Sequence, residues 1–234
     1  MKKSFTKIAI VTIVVLFGNL STSFAQAVTP TTSNVQFVCE GGILTLGSPG
    51  SANQWIVKYD ANSPTPGSPT TVTPNASNQI TGTDVKTGYY IITNKSTDAG
   101  TCESEAQIIP VYVLPTLTPT ITAANSYCTE QAGTTTFTGS ATPAAPSGAE
   151  LVYQWYTYDG TTETIIAGQT DPASFHPTVT NSGSTPINAI YRLKVAYKVG
   201  TLLYCPQTAS KTVSVLPRPT TPAITIGNPG TSTF

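Results

Sequence analysis

Charge is scarce in this chain. Asp, Glu, Lys and Arg make up only 9% of its 234 residues, eleven basic against eleven acidic. A partner built on phosphates needs a basic stripe to neutralise it. The densest basic grouping here is Lys194 with Lys198, which fits alternating charge on an exposed strand, so nucleic acid is disfavoured. Histidine is nearly absent as well. His176 stands alone between Phe175 and Pro177, and no Gly-x-Ser-x-Gly elbow supplies a nucleophile, so His176 reads as an edge-strand residue. Asp84, Asp98, Asp159 and Asp171 each stand beside glycine, proline or threonine, where carboxylates accept backbone hydrogen bonds in turns. They do not read as an acid/base pair. No Asp-x-Asp-x-Asp run points to calcium, which the sequence leaves open only at the inter-domain loops. The four cysteines contain no Cys-x-x-Cys pair, the spacing zinc favours. The composition therefore points away from an enzyme, a metal site and a cofactor.

Long helical periodicity is missing too. Past about the first twenty residues no stretch repeats apolar residues at i, i+3, i+4 and i+7, and 19 prolines and 18 glycines interrupt the chain. Those first residues have the pattern of an export signal: Lys2, Lys3 and Lys7, then an apolar run over residues 8–17, then Ser23-Phe24-Ala25 as a small-x-small cleavage site. The apolar run is too short for the ~20 residues of a spanning helix, so no membrane insertion is expected after cleavage of residues 1–25. Removing them leaves eight basic residues against eleven acidic, a net charge of about −3. The expected address is secreted or cell-surface.

What is present is a duplicated pattern. Gln54-Trp55 begins one run rich in aromatic and β-branched residues, and Gln154-Trp155 lies in a second run about a hundred residues later. Such composition fits a half-buried pleated surface. A cysteine precedes and another follows each tryptophan: Cys39 and Cys102, then Cys128 and Cys205. The order Cys, Trp, Cys thus occurs twice, and Val-Tyr-Val-Leu-Pro115 is echoed by Val-Ser-Val-Leu-Pro217. The boundaries that follow are residues 26–115 for one domain, 116–217 for a second, and 218–234 for a linker and the start of a third repeat, since residues 217–226 resemble 115–122. In an exported chain the cysteines are expected as disulfides. Three connectivities exist; the repeat favours Cys39 with Cys102 and Cys128 with Cys205, and a crossed pairing or four free thiols would mean that these boundaries, the fold and the function argued from them are wrong.

Within the first repeat, strands are expected over residues 35–38, 43–46, 54–59, 91–93 and 106–114, with weaker edge strands at 70–73 and 79–81. Residues 27–33 read as a mobile lead-in and 62–69 as a proline-bearing loop. Within the second, strands are expected over 121–123, 134–139, 151–158, 163–167, 174–179, 189–197 and 208–216, after a linker at 115–119 that its prolines stiffen. Period-2 alternation places Trp155 on one face of its strand and Tyr156 and Tyr158 on the other. Trp55 and Trp155 are expected in the core with Tyr90 and Tyr191; Tyr156 and Tyr158 are the candidates for stacking on a ligand.

The motifs Cys39-Glu40-Gly41, Gln54-Trp55, Gly88-Tyr89-Tyr90 and Gly100-Thr101-Cys102, with the Val-x-Val-Leu-Pro exit, resemble the Ig-like and PKD-like repeats of surface and secreted proteins of Bacteroidota. The second repeat departs from the pattern at Thr129-Glu130 and Ala189-Ile190. The run from Asp84 to Tyr90 also resembles the approach to strand F of immunoglobulin-like sandwiches, where the tyrosine hydroxyl caps the preceding corner. The resemblance implies an all-β chain of two tandem immunoglobulin-like β-sandwiches, each with one disulfide, passed across the outer membrane by the type IX secretion pathway. As function it implies a non-enzymatic adhesin stalk or binding spacer with further repeats, facing an unidentified polysaccharide or protein ligand. The alternatives are a carbohydrate-binding accessory module of a secreted polysaccharide-degrading enzyme and a surface filament subunit.

Overall fold

The structure is a computed structural model and describes residues 26–63, 68–98, 100–168 and 175–219. The expected signal at 1–25, most of the expected third repeat and Asp171 lie outside these residues.

Among the described residues the first domain has seven strands: β1 (Gln36–Cys39), β2 (Ile43–Thr45), β3 (Asn53–Asp60), β4 (Thr70–Val72), β5 (Gln79–Thr81), β6 (Gly88–Ser96) and β7 (Gln107–Leu114). They form a five-stranded sheet in the order β1-β7-β6-β3-β4, faced by a two-stranded sheet of β2 and β5. This is the Greek-key order of an immunoglobulin-like sandwich. The first strand runs parallel to the last, with Gln36 opposite Val111 and Cys39 opposite Leu114. Val57, Ile80, Tyr90, Ile92 and Val111 form the core. Alternation along β3 turns Trp55, Val57 and Tyr59 toward it, and the Tyr59 ring lies 5.3 Å from that of Tyr90. The Tyr90 hydroxyl donates to the Asp84 carbonyl at 2.8 Å and accepts from the Lys86 amide at 2.8 Å, the corner cap expected from the Asp84–Tyr90 run. Gly88 is required there, because a Cβ would meet the Asp60 carbonyl oxygen and the Tyr59 ring at 2.6 Å.

The second domain repeats the plan with β8 (Thr118–Thr122), β9 (Ser126–Cys128), β10 (Thr138–Thr142), β11 (Glu150–Tyr158), β12 (Glu163–Ile165), β13 (Ile187–Val199) and β14 (Leu202–Leu216). Its large sheet has the order β12-β11-β13-β14-β9 and its small one pairs β10 with β8. Again the strand that carries the first cysteine runs parallel to the last strand, with Cys128 opposite Leu216. Trp155 is fully buried and stacks on Phe175, with centroids 5.2 Å apart, and Phe137 and Tyr191 close the aromatic core. The Tyr191 hydroxyl lies 3.0 Å from that of Tyr127, which donates to the Val179 carbonyl at 2.8 Å. Burial, reinforced by the Tyr127 hydroxyl, pushes the Tyr191 phenol far above its ordinary range.

Several local expectations are corrected. The strand expected at 134–139 forms instead at Thr138–Thr142, because residues 131–135 close turns on the Gln131 carbonyl. Of the strand expected at 174–179, the described residues keep a single bridge, Phe137 to Phe175. Trp55 is only half-buried, and its indole N–H donates to the Gly47 carbonyl at 2.7 Å. Its cover is thin: β2 and β5 have three residues each. Residues 27–33 are not free, for Val28 is buried, Thr29 and Thr32 close a turn, and Thr31 packs beside Gly148 of the second domain.

The largest correction concerns the cysteines. Cys39 is bonded to Cys205, with Cα atoms 5.5 Å apart, while Cys102 and Cys128 are free thiols. The reason is the parallel pairing. Cys39 sits beside Leu114, where β7 ends, whereas Cys102 precedes the start of β7 at the other end of the domain. Eight residues at about 3.3 Å each make β7 roughly 26 Å long, far beyond the ~7 Å that a disulfide can bridge between Cα atoms. Cys128 and Cys205 are separated in the same way along β14. The pairing is crossed, yet both sandwiches keep their strand order.

Candidate functional site

Two places bring the chemistry-bearing residues together. The first is the outer face of the second domain's large sheet. Alternation puts Glu150, Val152, Gln154, Tyr156 and Tyr158 of β11 on this face, opposite Lys198, Ala196, Lys194, Arg192 and Ile190 of β13. The charges compensate one another. Glu163 on β12 accepts from Arg192 at 2.9 Å and from Lys194, and Glu150 accepts from Lys198 at 2.6 Å. The hydrogen bond from Lys194, then that from Arg192, holds the Glu163 carboxyl below its usual range. The Arg192 guanidinium lies 3.3 Å from the Tyr158 ring centroid and the Lys194 ammonium 4.7 Å from that of Tyr156. Tyr156 and Tyr158 therefore share the outer face, opposite Trp155, as expected from period 2, but a cation covers one ring face of each. A sugar stacking there would first displace a cation–π contact, worth about 0.5–1 kcal/mol at an exposed site.

Beside this ladder lies a groove of about 550 Å³ whose lining includes Tyr153, Tyr156, Lys194, Leu203 and Pro206. It opens where a bulge between Val195 and Tyr197 shifts the register against β14, leaving Leu203 61% exposed. The bulge was not legible in the sequence. No serine, threonine, cysteine or histidine lines the groove. His176 lies elsewhere, with Nδ1 2.9 Å from the Thr135 carbonyl oxygen. Asp159 accepts from the Thr161 and Thr162 amides, which lower its pKa in a local turn. Among the described residues no group of three or more His, Cys, Asp or Glu side chains could hold a metal.

The second place is the joint between the domains. Beside the disulfide, the Phe37 ring lies 4.9 Å from that of Tyr204 and 6.3 Å from that of Tyr112. Leu114 and Leu117 are buried in the second domain's core cluster, and Glu40 accepts from the Thr116 amide at 2.9 Å. The linker expected at 115–119 is thus packed and bonded. Its order comes from these contacts more than from proline stiffness. Burial, then the charges of Tyr112 and Glu40, raises the pKa of Tyr197.

The strand order makes each domain an immunoglobulin-like sandwich. Solved structures similar to the chain are of the same general kind. They include the fibronectin(III)-like modules of Clostridium thermocellum CbhA (16% identity, 80% of this chain and 92% of that one, TM-score 0.32). Others are chicken CNTN1 domains FN1-FN3 (12%, 82% and 69%, 0.34) and the I67-I69 fragment of titin (12%, 84% and 65%, 0.30). At such TM-scores the fold rests on the strand order, not on the likeness. No protein family and no curated protein matches the chain.

Proposed function

We propose that this chain is a non-enzymatic segment of an exported repeat protein and serves as a stiff stalk or binding spacer at the cell surface or in a secreted assembly. One observation carries the reading: the Cys39–Cys205 bond crosses the joint between the two sandwiches. A disulfide within a single domain would stabilise that domain alone, whereas this one fixes the orientation of one domain on the next. Structural disulfides of this kind persist in oxidising compartments, which supports export and agrees with the signal-like start. A spacer of fixed geometry carries whatever adjoins it at a set distance. Its ligand-facing surface is the groove beside Tyr156, with an unidentified polysaccharide or protein as partner. The carbohydrate-module reading is the weaker one, since Arg192 and Lys194 occupy the tyrosine faces that stacking would use.

Small-angle scattering tests the reading. The oxidised chain is expected to fit one shape, and the double variant Cys39→Ser, Cys205→Ser to need a spread of interdomain angles. Equal spread in both would reject it.

A further inference from the structure

The two free thiols occupy the same positions in their domains as the two bonded ones. Cys128 is to the second domain what Cys39 is to the first: each ends a short strand parallel to the last strand and lies opposite the leucine of the Leu-Pro exit, Leu216 and Leu114. Cys102 is to the first domain what Cys205 is to the second: Cys102 lies between β6 and β7, twelve residues ahead of Leu114, and Cys205 lies near the start of β14, eleven residues ahead of Leu216. The bond that forms therefore joins the exit-end cysteine of one domain to the hairpin-end cysteine of the next. Applied once more at each end of the chain, the same rule leaves Cys128 seeking a hairpin-end cysteine and Cys102, which is exposed, seeking an exit-end one.

These two cannot satisfy each other within one chain. From Cys205 at the joint to Leu216 beside Cys128 is eleven steps of strand, roughly 36 Å at about 3.3 Å each. Cys102 lies beyond the joint, at the far end of β7. We infer that each free cysteine bonds a cysteine of an adjoining domain, Cys102 an exit-end one and Cys128 a hairpin-end one, through the linkage the chain already uses internally; in the chain by itself a second copy supplies the partner, Cys102 of one bonding Cys128 of the other, head to tail. The contact is heterologous, the kind that generates open fibres wherever the rotation between copies does not close a ring. Formation of the bond consumes both thiols: a low-molecular-weight disulfide oxidises them, two sulfurs join, and two small thiols leave with the two protons.

The aromatic cushion of the joint is missing at the ends. The counterparts of Phe37 and Tyr112 are Ser126 and Ser214, which face each other across β9 and β14, and the counterpart of Tyr204 is Thr101. Association should therefore depend on the covalent bond and be abolished by reductant. The inference rests on the spacer reading but is read out separately, by peptide pairing instead of domain orientation.

The purified chain, reduced and then reoxidised in a glutathione buffer, is run on a non-reducing gel and mapped by mass spectrometry. A reducible ladder is expected, with the Cys39–Cys205 peptide in every rung and a Cys102–Cys128 peptide only above the monomer. Cys102→Ser and Cys128→Ser should each stay monomeric alone and give a single dimer when mixed. A wild-type chain that remains monomeric with both thiols open to alkylation would overturn the inference. So would either variant dimerising alone, or an intramolecular Cys102–Cys128 peptide.

Discussion

Removing the interdomain disulfide is the perturbation whose size follows most directly from the structure. Cys39 and Cys205 are 166 residues apart in sequence, and the chain-entropy relation for a loop of that length gives about 5 kcal/mol at 25 °C as the constraint on the unfolded chain. Losing it should do more than lower a midpoint. While the bond is in place, unfolding either sandwich also disrupts the Phe37–Tyr204 contact and leaves a coil closed on its folded neighbour. The oxidised chain should therefore unfold in one transition. In the variant Cys39→Ser, Cys205→Ser, what couples the domains is the non-covalent packing of the joint alone, Leu114, Leu117 and the aromatic contact, the last worth about 0.5–1.5 kcal/mol beyond its buried area, and the transition should split. The first domain should melt first, because its second sheet is two strands of three residues and Trp55 is half-buried. The assay is denaturant unfolding followed by tryptophan fluorescence, with Trp55→Phe added so that Trp155 reports the second domain alone. Cys102 and Cys128 are replaced by serine throughout to exclude intermolecular bonds. A stability loss below about 1 kcal/mol, set against the entropy relation, together with a single transition in the double variant, would refute the coupling.

Five further variants have outcomes that calorimetric or denaturant measurements check. Tyr90→Phe removes the hydroxyl that serves Asp84 and Lys86 and should cost about 1–2 kcal/mol, whereas Tyr197→Phe removes a buried hydroxyl with no protein hydrogen-bond partner and should be neutral or stabilising. Asn181→Ala deletes the amide that donates to the Thr185 and Val215 carbonyls and should cost about 2–3 kcal/mol through the unpaired groups left behind, while Gly139→Ala, whose Cβ would lie 2.4 Å from the Leu193 side chain, should cost about 1–3 kcal/mol by overpacking. The Glu163 carboxyl is held below its unfolded value by Lys194 and Arg192, so its contribution is full above the unfolded carboxylate pKa of about 4.3 and is lost as pH falls through the lower, folded value; a stability–pH curve for Glu163→Gln should lack that acid-side loss.

How far the sequence could be read depended on the range of the interaction. The Trp155 strand and the Tyr90 corner were legible because each rests on local alternation or on contacts a few residues away. Tyr156 and Tyr158 were placed on the correct face for the same reason. Their cationic cover was not legible, since Arg192 and Lys194 reach them only through the register of β11 on β13. The thinness of the cover over Trp55 depends on how few residues of β2 and β5 pair, which composition does not reveal. The cysteine pairing failed on direction. Repeat symmetry is satisfied equally by bonds within each unit and by bonds from each unit to the next. Only the parallel run of β1 beside β7, which puts Cys39 at the exit end, separates the two, and Val38 to Cys39 carries no local mark of it.

The same bond sets the path that tension would take through the chain. Pulled from its two ends, the load enters along β1 to Cys39, crosses the disulfide to Cys205 and leaves along β14. Everything between those cysteines in sequence is bypassed. The covalent path thus leaves out residues 40–204, the Trp155 strand and the Tyr90 corner among them, and the segments outside the bond lengthen by at most ~3.3–3.6 Å per residue. Reduction would return the hidden length to the chain, so the extensibility of a chain held by its two ends would be governed by its redox surroundings.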